Sequence, residues 1–118
     1  MTTAPAGLQE LYDDETRKIV DILQRAAPVR IIRYGSAARH NLRWKSDLDL
    51  CVIIERSEEL PWFRMNQQLR FLLRDHRYAY RIPLDLKTYT PEEFDALVQG
   101  GDPLAREIAQ GEVVYERA

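Results

Sequence analysis

The chain has 118 residues, 45% of them hydrophobic, a length and composition that allow one domain with a modest core. Its 17 basic and 19 acidic side chains give a formal charge of −2, without the strongly basic balance of a nucleic-acid binder, and its single cysteine excludes an internal disulfide or a Cys-rich zinc site. No apolar run approaches the ~18 residues of a membrane span, and no basic region followed by an apolar stretch marks a signal peptide, so a cytoplasmic protein is expected.

The small, polar, Pro- and Gly-bearing stretch 1–7 is expected to be disordered. A helix follows, from Leu8 or Asp13 to Ala26, with Leu8, Leu11, Tyr12, Ile19, Ile22, Leu23 and Ala26 at helical spacing and Pro28 as its stop. Val29 to Tyr34 reads as a first strand flanked by Arg30 and Arg33, Ser36 to Leu42 as a short helix, and Asn41 to Ser46 as a loop. Leu48 to Glu55 is a second strand, apolar on both faces at its centre and so interior to a sheet. After a polar loop over 56–60, Pro61 suits a first helical position. Trp62, Phe63, Met65, Leu69, Leu72 and Leu73 then line one face of a helix reaching Arg77, with Arg64, Arg70, Arg74 and Arg77 on or near the other side. Tyr80 to Tyr89 reads as a third strand, with Ile82, Leu84 and Leu86 on one face and Pro83, Asp85 and Lys87 on the other.

Thr90-Pro91-Glu92-Glu93 is a capping box, which accounts for both glutamates without assigning them to a metal. It opens a short helix ending near Gly100-Gly101. Asp102 caps another helix, with Pro103 first and Gly111 at its end, and Glu112 to Glu116 closes as a strand. This order predicts an α/β (α+β) sandwich, a small three- or four-stranded sheet covered by helices, formed by residues 1–118 as a single domain.

The chemistry concentrates between Tyr34 and Ile54. Gly35-Ser36 ends one apolar run, and Asp47 and Asp49 head another. Two residues apart in a strand, these acids share a face with Cys51 and Ile53, opposite the apolar stripe Leu48, Leu50, Val52 and Ile54. Cys51 reads as a small buried hydrophobe. Adjacent carboxylates repel, and a buried unpaired charge costs several kcal/mol, on the order of a desolvation penalty. A divalent cation removes that cost, and Mg²⁺ suits a site of carboxylates, phosphates and water. Glycine permits close backbone approach to an anion, and a helix starting beyond it aims free N–H groups at phosphate. The plainer alternative is an ordinary strand-to-helix turn followed by an ordinary loop acid. Arg39, about one turn along, either reaches a phosphate or is simply solvated, and His40 and Trp44 either line the cleft or are surface or packing residues.

Gly35-Ser36, the Ala38-Arg39 that follows, and Ser46-Asp47-Leu48-Asp49-Leu50 resemble the signature of the nucleotidyltransferase superfamily that includes the DNA polymerase beta palm. The short length narrows the resemblance to the minimal nucleotidyltransferases, often the antitoxin partners of HEPN-domain toxins in bacteria and archaea. One departure is visible: the family often has glycine after the Ala-Arg, where this chain has His40. The resemblance implies the nucleotidyltransferase fold with a mixed sheet, and an acid on a later strand joining the first two. Asp85 is the best match for it, although an edge-strand aspartate in water is the simpler reading, which Pro83 favours.

On this resemblance, Asp47, Asp49 and Asp85 bind two Mg²⁺ ions and form the catalytic set, while Gly35, Ser36 and Arg39 hold the triphosphate of ATP. The implied reaction is transfer of AMP to a tyrosine hydroxyl of a HEPN ribonuclease toxin. Two other readings stay open. One is an antitoxin that neutralises its partner by binding alone. The other is a small-molecule nucleotidyltransferase resembling those that modify aminoglycosides, which usually need a further domain for the acceptor. Short length and lack of positive charge disfavour a template-dependent polymerase.

Overall fold

The structure, a computed structural model, describes residues 7–55 and 62–118, without the side chains of residues 62 and 63. The expectations for residues 1–6, for the polar loop 56–60 and for Pro61 as a helix start lie outside the described residues. The elements in order are α1 (Leu8–Leu23), extended by a 3-10 turn (Gln24–Ala26), then β1 (Arg30–Tyr34), α2 (Gly35–Ala38), β2 (Leu48–Ile53) and α3 (Trp62–Asp75). They continue with β3 (Leu84–Tyr89), α4 (Pro91–Gln99), α5 (Pro103–Ala109) and β4 (Glu112–Glu116). No helix among the described residues is long and apolar enough to cross a membrane.

The strands form one mixed sheet in the order β3-β2-β1-β4. β1 runs antiparallel to both β2 and β4, and β2 runs parallel to β3. The two-residue period of β1 and β2 sorts their side chains between two apolar layers. Ile31, Leu48, Leu50 and Val52 meet Tyr12, Ile19 and Leu23 of α1 and Leu69 and Leu73 of α3. Ile32, Tyr34, Cys51 and Ile53 meet Phe94 of α4 and Ala105 and Ile108 of α5. The central placement of β2 explains its double-sided apolar pattern.

Local signals set the later helices. The Thr90 hydroxyl accepts from the Glu93 N–H (3.1 Å), and Glu93 accepts from the Thr90 N–H (3.1 Å). Asp102 accepts from the Ala105 N–H at 2.9 Å. Three elements are shorter than the sequence pattern suggests. α2 stops at Ala38, because His40 turns into the left-handed region (φ +58°). α3 stops at Asp75, because Arg77 does the same (φ +55°) while the Tyr78 N–H bonds the Leu73 carbonyl at 3.0 Å, as in a Schellman ending. β3 starts at Leu84 rather than Tyr80, since Pro83 has no N–H to give a ladder. The Pro83 carbonyl instead accepts from the Leu48 N–H (2.8 Å), which fixes the start of β2 against the start of β3.

Candidate active site

The end of β1, the start of β2 and the start of β3 lie along one edge of the sheet, since β1 is antiparallel to β2 and β2 is parallel to β3. Tyr34 pairs with Asp49 across β1 and β2, and Asp49 pairs with Asp85 across β2 and β3. The two aspartates are therefore in register on neighbouring strands and project on the same face, the one covered further along by α4 and α5. Asp47 sits just ahead of β2 and is exposed. Its loop is anchored from below, where the Tyr12 hydroxyl donates to the Ser46 carbonyl and the Ser46 hydroxyl accepts from the Arg43 N–H.

Gly35 makes room for this arrangement. It has a φ of +73°, and a Cβ placed there would lie 2.2 Å from Asp49 Oδ2. The close anion that this glycine tolerates is thus the Asp49 carboxylate itself. Ser36 follows, half-buried, in the first turn of α2. Arg39 is exposed and donates from Nη1 to Glu107 of α5 at 2.8 Å. A cavity of about 300 Å³ beside the turn is lined by Tyr34, Gly35, Arg39, Glu107 and Gln110.

The electrostatics single out Asp49. Its carboxyl is pushed up to about 6, first by burial and then by the negative charges of Asp85 and Asp47; Lys87 acts in the opposite direction. Lys87, two residues beyond Asp85 on the same face, brings its Nζ to 3.3 Å from Asp85 Oδ1. Among the described residues, the buried Tyr34 hydroxyl has no hydrogen-bond partner. Burial and the charges of Asp85 and Asp49 hold this phenol far above its ordinary range. The sequence reading did not assign Tyr34, Lys87 or Glu107 to the site. Lys87 carried a signal in its spacing from Asp85, and Tyr34 in its position before the Gly-Ser turn. Glu107 carried none, because α5 reaches the site only through tertiary packing.

The nucleotidyltransferase domain family matches residues 16–115 of the chain, a span running from α1 into β4 and containing Gly35, Ser36, Arg39, Asp47, Asp49 and Asp85. The chain belongs to the nucleotidyltransferase domain family. A solved structure described as a minimal nucleotidyltransferase is similar in fold, with a TM-score of 0.51 and 23% identity, covering 91% of this chain and 94% of that one. Comparison with curated proteins finds no match.

The donor set of this nucleotidyltransferase suits a divalent cation bound together with a nucleotide. Among the described residues, no three His, Cys, Asp or Glu side chains converge as a ready-made metal cluster. The in-register pair Asp49 and Asp85 instead offers two carboxylates, with exposed Asp47 alongside. Mg²⁺ typically takes one or two carboxylates and completes its shell with phosphate oxygens and water. Burial first, and then the nearby charges of Asp85 and Asp47, raise the Asp49 carboxyl, and a divalent cation would offset both.

Proposed function

We propose that this nucleotidyltransferase is an antitoxin enzyme that transfers AMP from ATP to a tyrosine hydroxyl of a HEPN ribonuclease toxin. The observation that carries the transfer chemistry is the pairing of Asp49 with Asp85 across two parallel strands, with Asp47 two residues ahead. The donor, the acceptor and the toxin rest on the resemblance of the Gly-Ser and Asp-x-Asp motifs, at this chain length, to the minimal nucleotidyltransferases.

Asp47, Asp49 and Asp85 would hold two Mg²⁺ ions. When bound, these supply neutralisation of the triphosphate, a lowered pKa for the attacking hydroxyl and stabilisation of the departing pyrophosphate. The chain's own contribution is positioning and charge balance, as in phosphoryl transfer generally. Ser36 and the backbone at Gly35 hold the β- or γ-phosphate. Arg39 exchanges Glu107 for a phosphate oxygen, which its guanidinium geometry favours. The acceptor oxygen bonds to the α-phosphorus, the bond to the bridging oxygen breaks, and pyrophosphate leaves. Asp85 takes the hydroxyl proton, with Lys87 beside it to offset the second carboxylate.

The test combines the purified protein, Mg²⁺, α-labelled ATP and the product of the adjacent gene, with Asp47→Ala/Asp49→Ala in parallel. Label is expected on the partner with the wild-type protein and on nothing with the double variant, which should also fail to protect cells. A double variant that still neutralises the partner would replace this reading with a binding-only antitoxin.

A further inference from the structure

The end of the sheet that carries the carboxylates also carries two exposed loops rich in cations. Two loops meet there, because the Leu48 N–H bonds the Pro83 carbonyl at 2.8 Å. The loop before β2 presents Arg43, Trp44 and Lys45, and the loop before β3 presents Arg77, Tyr80 and Arg81; all six are exposed. Trp44 is 69% exposed and Tyr80 48%, in a chain whose other tyrosines on this side are packed away. Among the described residues, none of the four cations pairs with a carboxylate. Of the other described cations, Arg17, Lys18, Arg30, Arg33, Arg39, Arg74, Lys87 and Arg117 have acidic partners, and Arg70 and Arg106 bond amide or carbonyl oxygens. Both loops are also held in place. Lys45 and Arg77 occupy left-handed turns (φ +67° and +55°), and the Tyr80 ring packs edge-on against Tyr78 at 5.0 Å. Tyr78 in turn donates to buried Glu15 at 3.0 Å.

We propose that this rim is the docking surface for an acidic protein segment that carries the acceptor hydroxyl. The inference rests on the reading that the acceptor is a protein. Charge complementarity selects an acidic occupant, since these four exposed cations lie on the two loops that lead into the strands bearing Asp49 and Asp85. Exposed Trp, Tyr and Arg are the side chains that dominate binding energy at protein interfaces. A net charge of −2 over the whole chain opposes a long polyphosphate backbone but leaves a local acidic segment free to bind.

The test is a titration of the full chain with a fluorescent peptide holding one tyrosine among glutamates, against its lysine counterpart and a single-stranded oligoribonucleotide. The wild-type protein should bind the acidic peptide best, and more weakly at physiological than at low ionic strength. Arg43→Glu combined with Arg81→Glu should lower that affinity by about tenfold or more, with thermal melting and ATP binding unchanged. Trp44→Ala should weaken it at constant charge. Equal affinity in wild type and charge-reversed protein, or preference for the oligonucleotide, would overturn the assignment. Asp47→Ala/Asp49→Ala should retain the acidic peptide, so peptide binding without any transfer by the wild type would sink the transfer reading and leave the docking surface standing.

Discussion

Gly35 is where backbone conformation and site chemistry meet. A side chain there encounters both a left-handed φ and the Asp49 carboxylate at 2.2 Å. Gly35→Ala should therefore cost at least ~1 kcal/mol through the backbone alone and should also displace Asp49; urea denaturation would show the first and the transfer assay the second. Asp49 itself leads to a pH prediction. Its carboxyl lies at about 6 in the folded chain, above the ordinary value of 3.8. The native state then holds more protons than the unfolded state between those values, so stability falls as pH rises through that window. In the absence of divalent cations, wild-type melting temperature should drop between pH 4 and 6 more than that of Asp49→Asn, as thermal melts across pH would report. His40 departs from the family glycine yet adopts the left-handed turn that glycine accepts without cost (φ +58°). His40→Gly should accordingly leave the turn intact and stabilise the chain by up to about 1 kcal/mol, read by chemical denaturation.

The elements are tied together by polar contacts as well as by their apolar faces. Arg33 is the clearest case, being buried in β1 between α1 and β4. Its guanidinium donates to Asp13 (2.8 Å) and Thr16 (3.1 Å) on α1 and to Glu112 (2.7 Å and 3.0 Å) on β4. Burial raises the Asp13 carboxyl, but hydrogen bonds from Arg33 and Gln9 outweigh it and hold the group below its ordinary range. In sequence Arg33 looked like a strand-flanking residue, because a pattern of charge cannot reveal partners that are distant in the chain. Arg33→Met should cost ~2–3 kcal/mol, at the low end for a broken buried pair because Asp13 and Glu112 remain partly hydrated. The capping box at Thr90 is the opposite case, fully legible because all its partners lie within four residues. Thr90→Ala should cost about 1 kcal/mol, seen as a shift in the denaturation midpoint.

At the scale of the whole molecule, one sheet edge gathers residues from five elements: Tyr34 from the end of β1, Gly35 from the start of α2, Asp49 from β2, Asp85 and Lys87 from β3, and Glu107 from α5. The repulsion concentrated there makes the edge responsive to cations. Mg²⁺ with ATP should raise the wild-type melting temperature by mass action, and Asp47→Ala/Asp49→Ala should abolish the rise, as differential scanning fluorimetry would show.

Most of the architecture was legible in the order of residues. Helical and two-residue apolar periods, proline stops and side-chain caps act over a few positions, so the element order and the interior place of β2 could be read locally, whereas Asp47, expected on one strand face with Asp49, lies just ahead of β2. The Gly-Ser turn and the Asp-x-Asp pair were legible for the same reason, each being a short motif. Three features required tertiary structure. Asp85 comes into register with Asp49 only because α3 carries the chain across to a parallel β3, and a parallel register has no local turn to announce it. β3 is an edge strand, as the simpler reading of Asp85 expected, yet Asp85 is only partly in water and sits in register with Asp49 on the neighbouring strand. The partners of Arg33 and Arg39, and the approach of Glu107 to the aspartates, depend on how the helices pack on the sheet, which residue order expresses only through the summed burial of both apolar layers.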